Sequence, residues 1–393
     1  MRILVLSNLY PPAAVGGYER MCRDVVERWR ARGHEITVLT TTFGNAQSDE
    51  RGVNRWLSLY WNGEDVICPP LLQQIRLERA NRRALARALR TARPDVISVW
   101  GMGALSLGLL AAISERGLAV TYVVGDDWLV YGRWADCWTR RLDGSPHVRL
   151  LARLLRLPGA PLALGGSGSF CFVSEFTRRR AEEIMEIPRA AVVPAGIDPV
   201  DFPVGMPEER PWRWRLLCVG RLERMKGFAA AIRALTELPP EATLTIVGST
   251  GSYAEELARL TREIDVADRV RWTRCERSEV AGHYRSADAL IFPSTGPEAF
   301  GLVPLEAMAC GTPVVATAAG GSAEYLVPEQ NCLVVPPESP VEIASALRRL
   351  VSDAALRRRL VVAGLQTAKQ FNVESQAAAL EQAHLAAARD VAP

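Results

Sequence analysis

Four charged side chains in the second half of the chain have the types and spacing needed to handle a diphosphate ester. The apolar run RLLCVG ends at Gly220, Arg221 follows at once, and Lys226-Gly227 comes five residues later at the start of a helical pattern. Both cations can then reach one phosphate group, and the helix N-terminus adds its own partial positive charge. Farther on, in STGPEAFGLVPLEAMACGTPVVAT, Glu298 and Glu306 bracket the stretch Phe300-Gly301-Leu302-Val303. If Gly301 to Val303 start a helix, their free N–H groups point at an incoming diphosphate, and Gly301 permits close backbone approach. Glu306, one turn into that helix, is placed to accept hydrogen bonds from the two hydroxyls of a ribose. Glu298, ahead of it, is placed to bind sugar hydroxyls or to face positive charge developing at an anomeric carbon. Such a set suits departure of a diphosphate from a sugar, because without a metal the developing charge must meet cations and backbone N–H groups. Taken singly, each feature has a plainer reading: loop cations as solvated surface, the two acids as helix-start residues stabilised by the macrodipole, and Phe300 as a core contact.

The elements that must carry these residues are legible in outline. Apolar strands alternate with helical patterns: RILVLS near the start, a helix over about 18–32, then strands at Glu35 to Thr40, 95–99, 118–124 and 170–173. A second series follows at 215–220, 242–248, 268–272, 289–292, 312–316 and 331–335. This alternation predicts βαβ units and buried parallel sheets, hence an α/β protein of two Rossmann-like domains. Pro194, Pro199, Pro203, Pro207 and Pro211 crowd the stretch between the series, which reads as a linker. The expected domains are 1–203 and 204–370, with a terminal helical segment, 371–393. Open parallel sheets bind ligands beyond the carboxyl ends of their strands and clefts form between domains, so the site is expected in an interdomain cleft.

Composition narrows the function. With 393 residues, 48% hydrophobic and 23% charged, the chain has the balance of a globular protein. A net charge of +3 is too small for a nucleic-acid binder. The eight cysteines are dispersed without a C-x-x-C pair, which predicts neither a metal knuckle nor a disulfide framework and fits a reduced cytoplasmic setting. The opening apolar stretch is too short for a signal peptide, and no run is long enough for a membrane span. Neither strand series opens with G-x-G-x-x-G, which disfavours an NAD oxidoreductase, and no P-loop is present.

In combination the motifs resemble the retaining glycosyltransferases of family 4, of the GT-B fold. The blocks GGYER (16–20), RGHEITVLT (32–40), VSEFTRR (173–179), PAGIDPVDF (194–202), VGRLERMKG (219–227), EAFGLVPLE (298–306) and GTPVVAT (311–317) occur in that family's order. The resemblance implies that Arg221 and Lys226 bind the diphosphate of a nucleotide-sugar donor, that Glu306 binds its ribose and Glu298 its sugar, and that Gly16 and Gly17 close over the phosphates. It also implies the terminal helix crossing back to the first domain, and retention by front-face attack in which the leaving phosphate helps to accept the acceptor's proton. No cofactor is expected. The spaced D-x-D of metal-dependent transferases is absent, so no metal is expected either.

One departure stands out. Where the family carries a His-Asp pair, this chain reads VVGDDW, with Gly125 at the His position and Asp126 at the Asp position. Asp126 is the candidate to take over the contact to the donor sugar, and capping of the following helix is its plainer role. Trp128, Tyr131 and Trp134, in the same region, suit a sugar ring or an apolar aglycone of a carbohydrate, lipid-linked or natural-product acceptor. The stretch HVRLLARLLRLPG places Arg149, Arg153 and Arg156 on one helical face, a pattern that fits peripheral contact with the inner face of a membrane. A sugar-nucleotide epimerase or hydrolase of the same fold would need acid/base carboxylates and histidines that are not evident. An inactive sugar-nucleotide-binding protein would have no need for Arg221, Lys226, Glu298 and Glu306 together.

Overall fold

The computed structural model describes residues 1–13, 16–43, 50–63, 65–155, 157, 168–206, 210–248 and 252–391. The chain forms two compact units, one of Met1–Pro194 with Gln376–Pro393 and one of Ala195–Ser375.

The first unit holds strands β1 (Arg2–Leu6), β2 (Glu35–Thr41), β3 (Val53–Leu57), β4 (Val96–Val99), β5 (Val120–Val124), β6 (Ser169–Phe172) and β7 (Ala190–Val192). They pair in the order β3-β2-β1-β4-β5-β6-β7, every pair parallel. Leu4, Leu6, Ile97, Val99, Tyr122 and Phe170 carry its core. The continuous apolar runs make such strands because both faces of a parallel sheet are covered by helices.

Strands β8 (Arg215–Val219), β9 (Thr243–Val247), β10 (Val270–Thr273), β11 (Ala289–Phe292), β12 (Val314–Ala316) and β13 (Leu333–Val334) form the second sheet. Its order is β10-β9-β8-β11-β12-β13, again all parallel, over a core of Leu216, Cys218, Leu244, Ile246 and Ile291. Each unit is therefore a doubly wound Rossmann-like sheet, whose strand order reverses between β1 and β4 in one and between β8 and β11 in the other.

Two expectations shift, the place of the division and the state of the cysteines. The division between the units falls before Ala195 rather than at 203, because the proline-bearing stretch packs onto the second unit. Ile197 exchanges backbone hydrogen bonds with Phe371 and Val373, and the Phe202 ring meets Tyr284 edge-on at 6.1 Å. Of the terminal helix Val373–Val391, residues from Gln376 onward group with the first unit. There the Trp29 indole donates to the Ala377 carbonyl at 3.0 Å, and His384 lies buried against the Trp29 ring, its pKa pushed down to about 4 by burial. Finally, Cys68 and Cys137 are joined in a disulfide, against the expectation of a wholly reduced chain. They lie 69 residues apart in sequence, so spacing gives no sign of a pair that the fold sets 5.3 Å apart at Cα.

Candidate functional site

In the second unit the expected residues converge on the point where the strand order reverses. Beyond β8, a single 3-10 turn Arg224–Lys226 leads through Gly227 into the helix Phe228–Ala234. Gly227 has φ +67°, and a Cβ there would sit 1.9 Å from the Pro293 carbonyl oxygen, so only glycine lets this loop close against the end of β11. That closure carries the Lys226 side chain to the loop after β11. Its ammonium donates to both oxygens of Glu298 at 2.8 Å, and the Ser294 hydroxyl adds a third bond to Oε1 at 2.5 Å. The pair is largely dry, the two side chains being only 17% and 10% exposed. The loop bearing Glu298 is fixed from behind, where its N–H donates to Ala319 and its carbonyl accepts from Gly321.

Lys226 and Glu298 are thus joined in one charge-balanced pair. The ammonium has three N–H donors and gives two here, while a carboxylate offers about four acceptor positions, of which three are filled, so both groups keep capacity for a ligand. Arg221 has a different partner. It is 43% exposed and pairs with Glu223 at 2.7 Å, a surface contact weak enough to exchange for a phosphate.

The helix Leu302–Ala309 begins as expected, with Gly301 as its N-cap at φ +83° and Pro304 in the first turn, where its missing N–H costs nothing. The leading N–H groups of Leu302 and Val303 belong to the set that an α-helix cannot satisfy internally. Phe300 is placed differently from its expected part in donor binding. Its side chain is buried against Tyr325 and Phe371, ring centroids 5.3 and 5.6 Å away, which leaves only its main chain for a ligand. Glu306 lies one turn into the helix, and its Oε2 accepts from the buried Tyr284 hydroxyl at 2.7 Å. Burial, followed by the charge of Glu306, holds the Tyr284 phenol well above its usual range, so it remains a neutral donor. A cavity of about 690 Å³ opens beyond β8, β9 and β10, lined by Leu222, Gly248, Trp272, Thr273 and Arg274 among others.

At the reversal in the first unit the chemistry is different. Gly16 precedes the helix Gly17–Ala31, and its N–H is taken by the Glu19 side chain at 2.9 Å. Tyr18 reaches over the end of β5 and donates to the Val123 carbonyl. Asp126 accepts from the Tyr131 hydroxyl at 2.9 Å and from the Trp128 N–H at 3.1 Å, at the start of the helix Trp128–Ala135. Burial pushes its carboxyl up to about 6, with those two hydrogen bonds opposing the shift. The neighbouring Asp127 is paired instead with Arg180 at 3.1 Å. Of the three aromatic candidates, Trp128 is a core residue against Tyr122, whereas Tyr131 and Trp134 are exposed, Trp134 by 74%. Arg149 and Arg153 lie in the helix Pro146–Leu154, and Arg156 falls outside the described residues. Among the described residues, no group of three or more His, Cys, Asp or Glu side chains is placed to hold a metal ion, and no helix is long and apolar enough to cross a membrane.

Sequence reading missed Ser294, Tyr284 and Tyr18. Ser294 sits four residues before Glu298, a spacing that could have suggested the bond, but Tyr284 and Tyr18 act across the fold and leave no local sign.

Two family models cover most of the chain, Glycosyltransferase Family 4 over residues 15–201 and Glycosyl transferases group 1 over residues 207–367. A D-inositol 3-phosphate glycosyltransferase of Xylanimonas cellulosilytica is 32% identical across 70% of this chain and 75% of its own. A glycogen synthase of Mycobacterium tuberculosis is 30% identical across 99% of this chain and 95% of its own. Among solved structures, sucrose-phosphate synthase of Thermosynechococcus elongatus superposes with a TM-score of 0.73 at 22% identity, covering 97% of each chain. HepE of Anabaena, solved in complex with UDP-glucose, gives 0.70 at 20% identity over 97% of this chain and 98% of its own. At such identities the structural likeness speaks for the fold alone.

Proposed function

This chain belongs to the family 4 glycosyltransferases, on the GT-B fold, and we propose that it moves a sugar from a nucleoside diphosphate donor to a carbohydrate, lipid-linked or natural-product acceptor with retention at the anomeric carbon and without a metal. The observation that carries this reading is the Lys226–Glu298 pair at the strand reversal of the second unit, close in sequence to the N-terminus of the helix Leu302–Ala309. On binding, the third ammonium N–H of Lys226, the Arg221 guanidinium and the N–H groups of Leu302 and Val303 meet the diphosphate. Those groups are preorganised where negative charge grows as the sugar leaves, the arrangement that lowers a barrier most. Glu298 holds sugar hydroxyls through its free acceptor position, Glu306 holds the ribose, and the cavity beyond β8 to β10 takes the base. The departing phosphate accepts the acceptor's proton, so no protein nucleophile is required.

In the first unit, Gly16 and Gly17 put a helix start at the sheet's carboxyl end, and Asp126 favours the oxocarbenium-like charge of transfer. Tyr131 and Trp134 suit the acceptor. Leu150 and Leu154, 59% and 73% exposed on the basic helix, support peripheral contact with the inner face of a membrane. Sedimentation with anionic vesicles tests that contact, and Leu150→Ser with Leu154→Ser should release the protein.

The test of the function is a panel of nucleotide sugars screened by thermal shift and then by turnover, since a ligand bound only by the folded state raises its stability. At least one should raise the midpoint and be consumed in an acceptor-dependent reaction that survives EDTA and gives a product of unchanged anomeric configuration. Loss of activity on chelation, restored by magnesium or manganese, would overturn the metal-independent reading, and an inverted product the retaining one.

A further inference from the structure

The carboxyl edge of the first sheet is stripped of side chains at three positions, and in each case a neighbouring side chain occupies the space. A Cβ on Gly101 would meet the Asn8 side-chain oxygen at 2.5 Å, and one on Gly103 the Tyr131 hydroxyl at 2.8 Å. At Gly125 the conflict is most severe, because a Cβ would sit 2.4, 2.5 and 2.9 Å from three carbons of the Tyr18 ring. Real Cβ atoms do not approach so closely, so either the ring or the side chain at 125 can be present, not both.

Tyr18 is held in that place by three means. It is the second residue of the helix Gly17–Ala31, so its backbone is fixed by the helix start. Its hydroxyl is committed to the Val123 carbonyl, and its ring lies 6.0 Å from Trp100 in a tilted contact. The hydroxyl is thereby turned into the sheet, and what the half-buried ring leaves to a ligand is aromatic carbon surface. Around it stand Asn8, whose amide is tied to Gly103 and Leu9, and the Asp126–Tyr131 pair. A floor of glycine, an aromatic face and a rim of acceptors and hydroxyls suits a pyranose ring, whose C–H face packs on an aromatic and whose edge carries hydroxyls.

We propose that Tyr18 is a specificity-determining residue of this enzyme: its ring takes the volume of the missing side chain at 125 and forms the wall against which a sugar ring, of donor or acceptor, is selected. This inference rests on the transferase reading for its substrate, while its steric half stands without it. Positions 18 and 125 are then an exchangeable pair, and filling 125 requires emptying 18.

The test is a cycle of Gly125→His, Tyr18→Ala and the double variant. Thermal midpoints are measured without ligand, and kcat and KM with UDP-glucose, UDP-galactose and GDP-mannose and with the acceptor. Gly125→His alone should lower the midpoint by about 5 °C or more, as overpacking does, and the double variant should recover most of that loss. Tyr18→Ala should raise KM at least tenfold for whichever partner, donor or acceptor, holds the selected ring, with Tyr18→Phe between it and the parent. The double variant should regain turnover over Gly125→His and change either the order of preference within the donor panel or KM for the acceptor, according to which holds the selected ring. A Gly125→His protein with the parent's midpoint would overturn the steric pairing. A double variant with the parent's order of preference among donors and the parent's KM for the acceptor would overturn the specificity role. If the parent consumes no nucleotide sugar, the transferase reading fails, and the substrate half falls with it while the midpoints still decide the pairing.

Discussion

The two units share a six-strand order and its reversal point, the first adding β7 at one edge, yet they equip that point oppositely. In the second, a glycine at positive φ closes a loop so that Lys226 meets Glu298, a nearly dry, charge-balanced pair braced by Ser294. In the first, the corresponding edge holds the Tyr18 ring, glycines, and Asp126, which accepts from a phenol hydroxyl and a backbone N–H. Under the proposed function, one fold supports two kinds of recognition. A permanently charged diphosphate needs cations fixed in advance, while a neutral sugar needs shape, hydroxyl partners and charge only as transfer proceeds. The Lys226–Glu298 pairing also means that the second unit's cation is held in place before a ligand arrives, at low reorganisation cost.

The comparison breaks most visibly at Lys226. Lys226→Ala should lower turnover by about a hundredfold or more, and it should also destabilise the fold by about 3–5 kcal/mol because Glu298 is left buried without its counter-ion. Adding Glu298→Ala should return much of the stability and none of the turnover. Arg221→Ala should lose turnover to a similar degree with less than about 1 kcal/mol of stability, since its partner Glu223 is at the surface. Denaturation midpoints beside kcat separate the two effects, and parent-like turnover in both single variants would remove diphosphate stabilisation from this site.

The next effect is a pH signature confined to the first unit. Burial raises the Asp126 carboxyl from its ordinary 3.8 to about 6. A raised folded-state pKa means that the contribution of this group to stability is complete below about pH 4 and is lost as pH rises through 6. If the ionised form assists transfer, kcat should rise over the same interval in which stability falls. Asp126→Asn should flatten both trends near pH 6 and lower kcat with little change in donor KM, because an interaction made mainly in the transition state shows in kcat. A parent enzyme whose kcat is level between pH 5 and 7 would leave Asp126 as a helix cap and nothing more.

How much of this was legible in the sequence follows from which contacts are local. The β8 and β11 strands, the loop glycines and the helix start at Gly301 are set by runs of neighbouring residues, and so they could be read directly. Strand β3 escaped notice because VNRWL mixes polar residues into a half-buried edge strand, and β7 because Ala190–Val192 is only three residues long. The Lys226–Glu298 bond spans 72 residues and the Tyr18–Val123 bond 105, so residue types were visible while their partnership was not. Gly125 looked like a gap in a motif, and only the Tyr18 ring shows that the gap is filled.

The smallest effect belongs to Tyr284, which touches the second unit's site only through Glu306. Its hydroxyl donates to Oε2 at 2.7 Å while its ring is packed against Phe202, so Tyr284→Phe removes one hydrogen bond and leaves the packing in place. A hydrogen bond to a charged group contributes about 1.5–3 kcal/mol, but Glu306 can turn to water or to ligand hydroxyls, which recovers part of that. The net outcome should be a donor KM raised about three- to tenfold with kcat unchanged, because ribose binding is equal in the ground and transition states. Tyr131→Phe is the matching change in the first unit, where the lost hydroxyl partners Asp126 and the effect should appear in kcat and its pH dependence while donor KM holds. Should Tyr284→Phe lower kcat and spare KM, Glu306 would belong with the reacting sugar rather than the ribose, and the division of labour within the second unit would have to be redrawn around it.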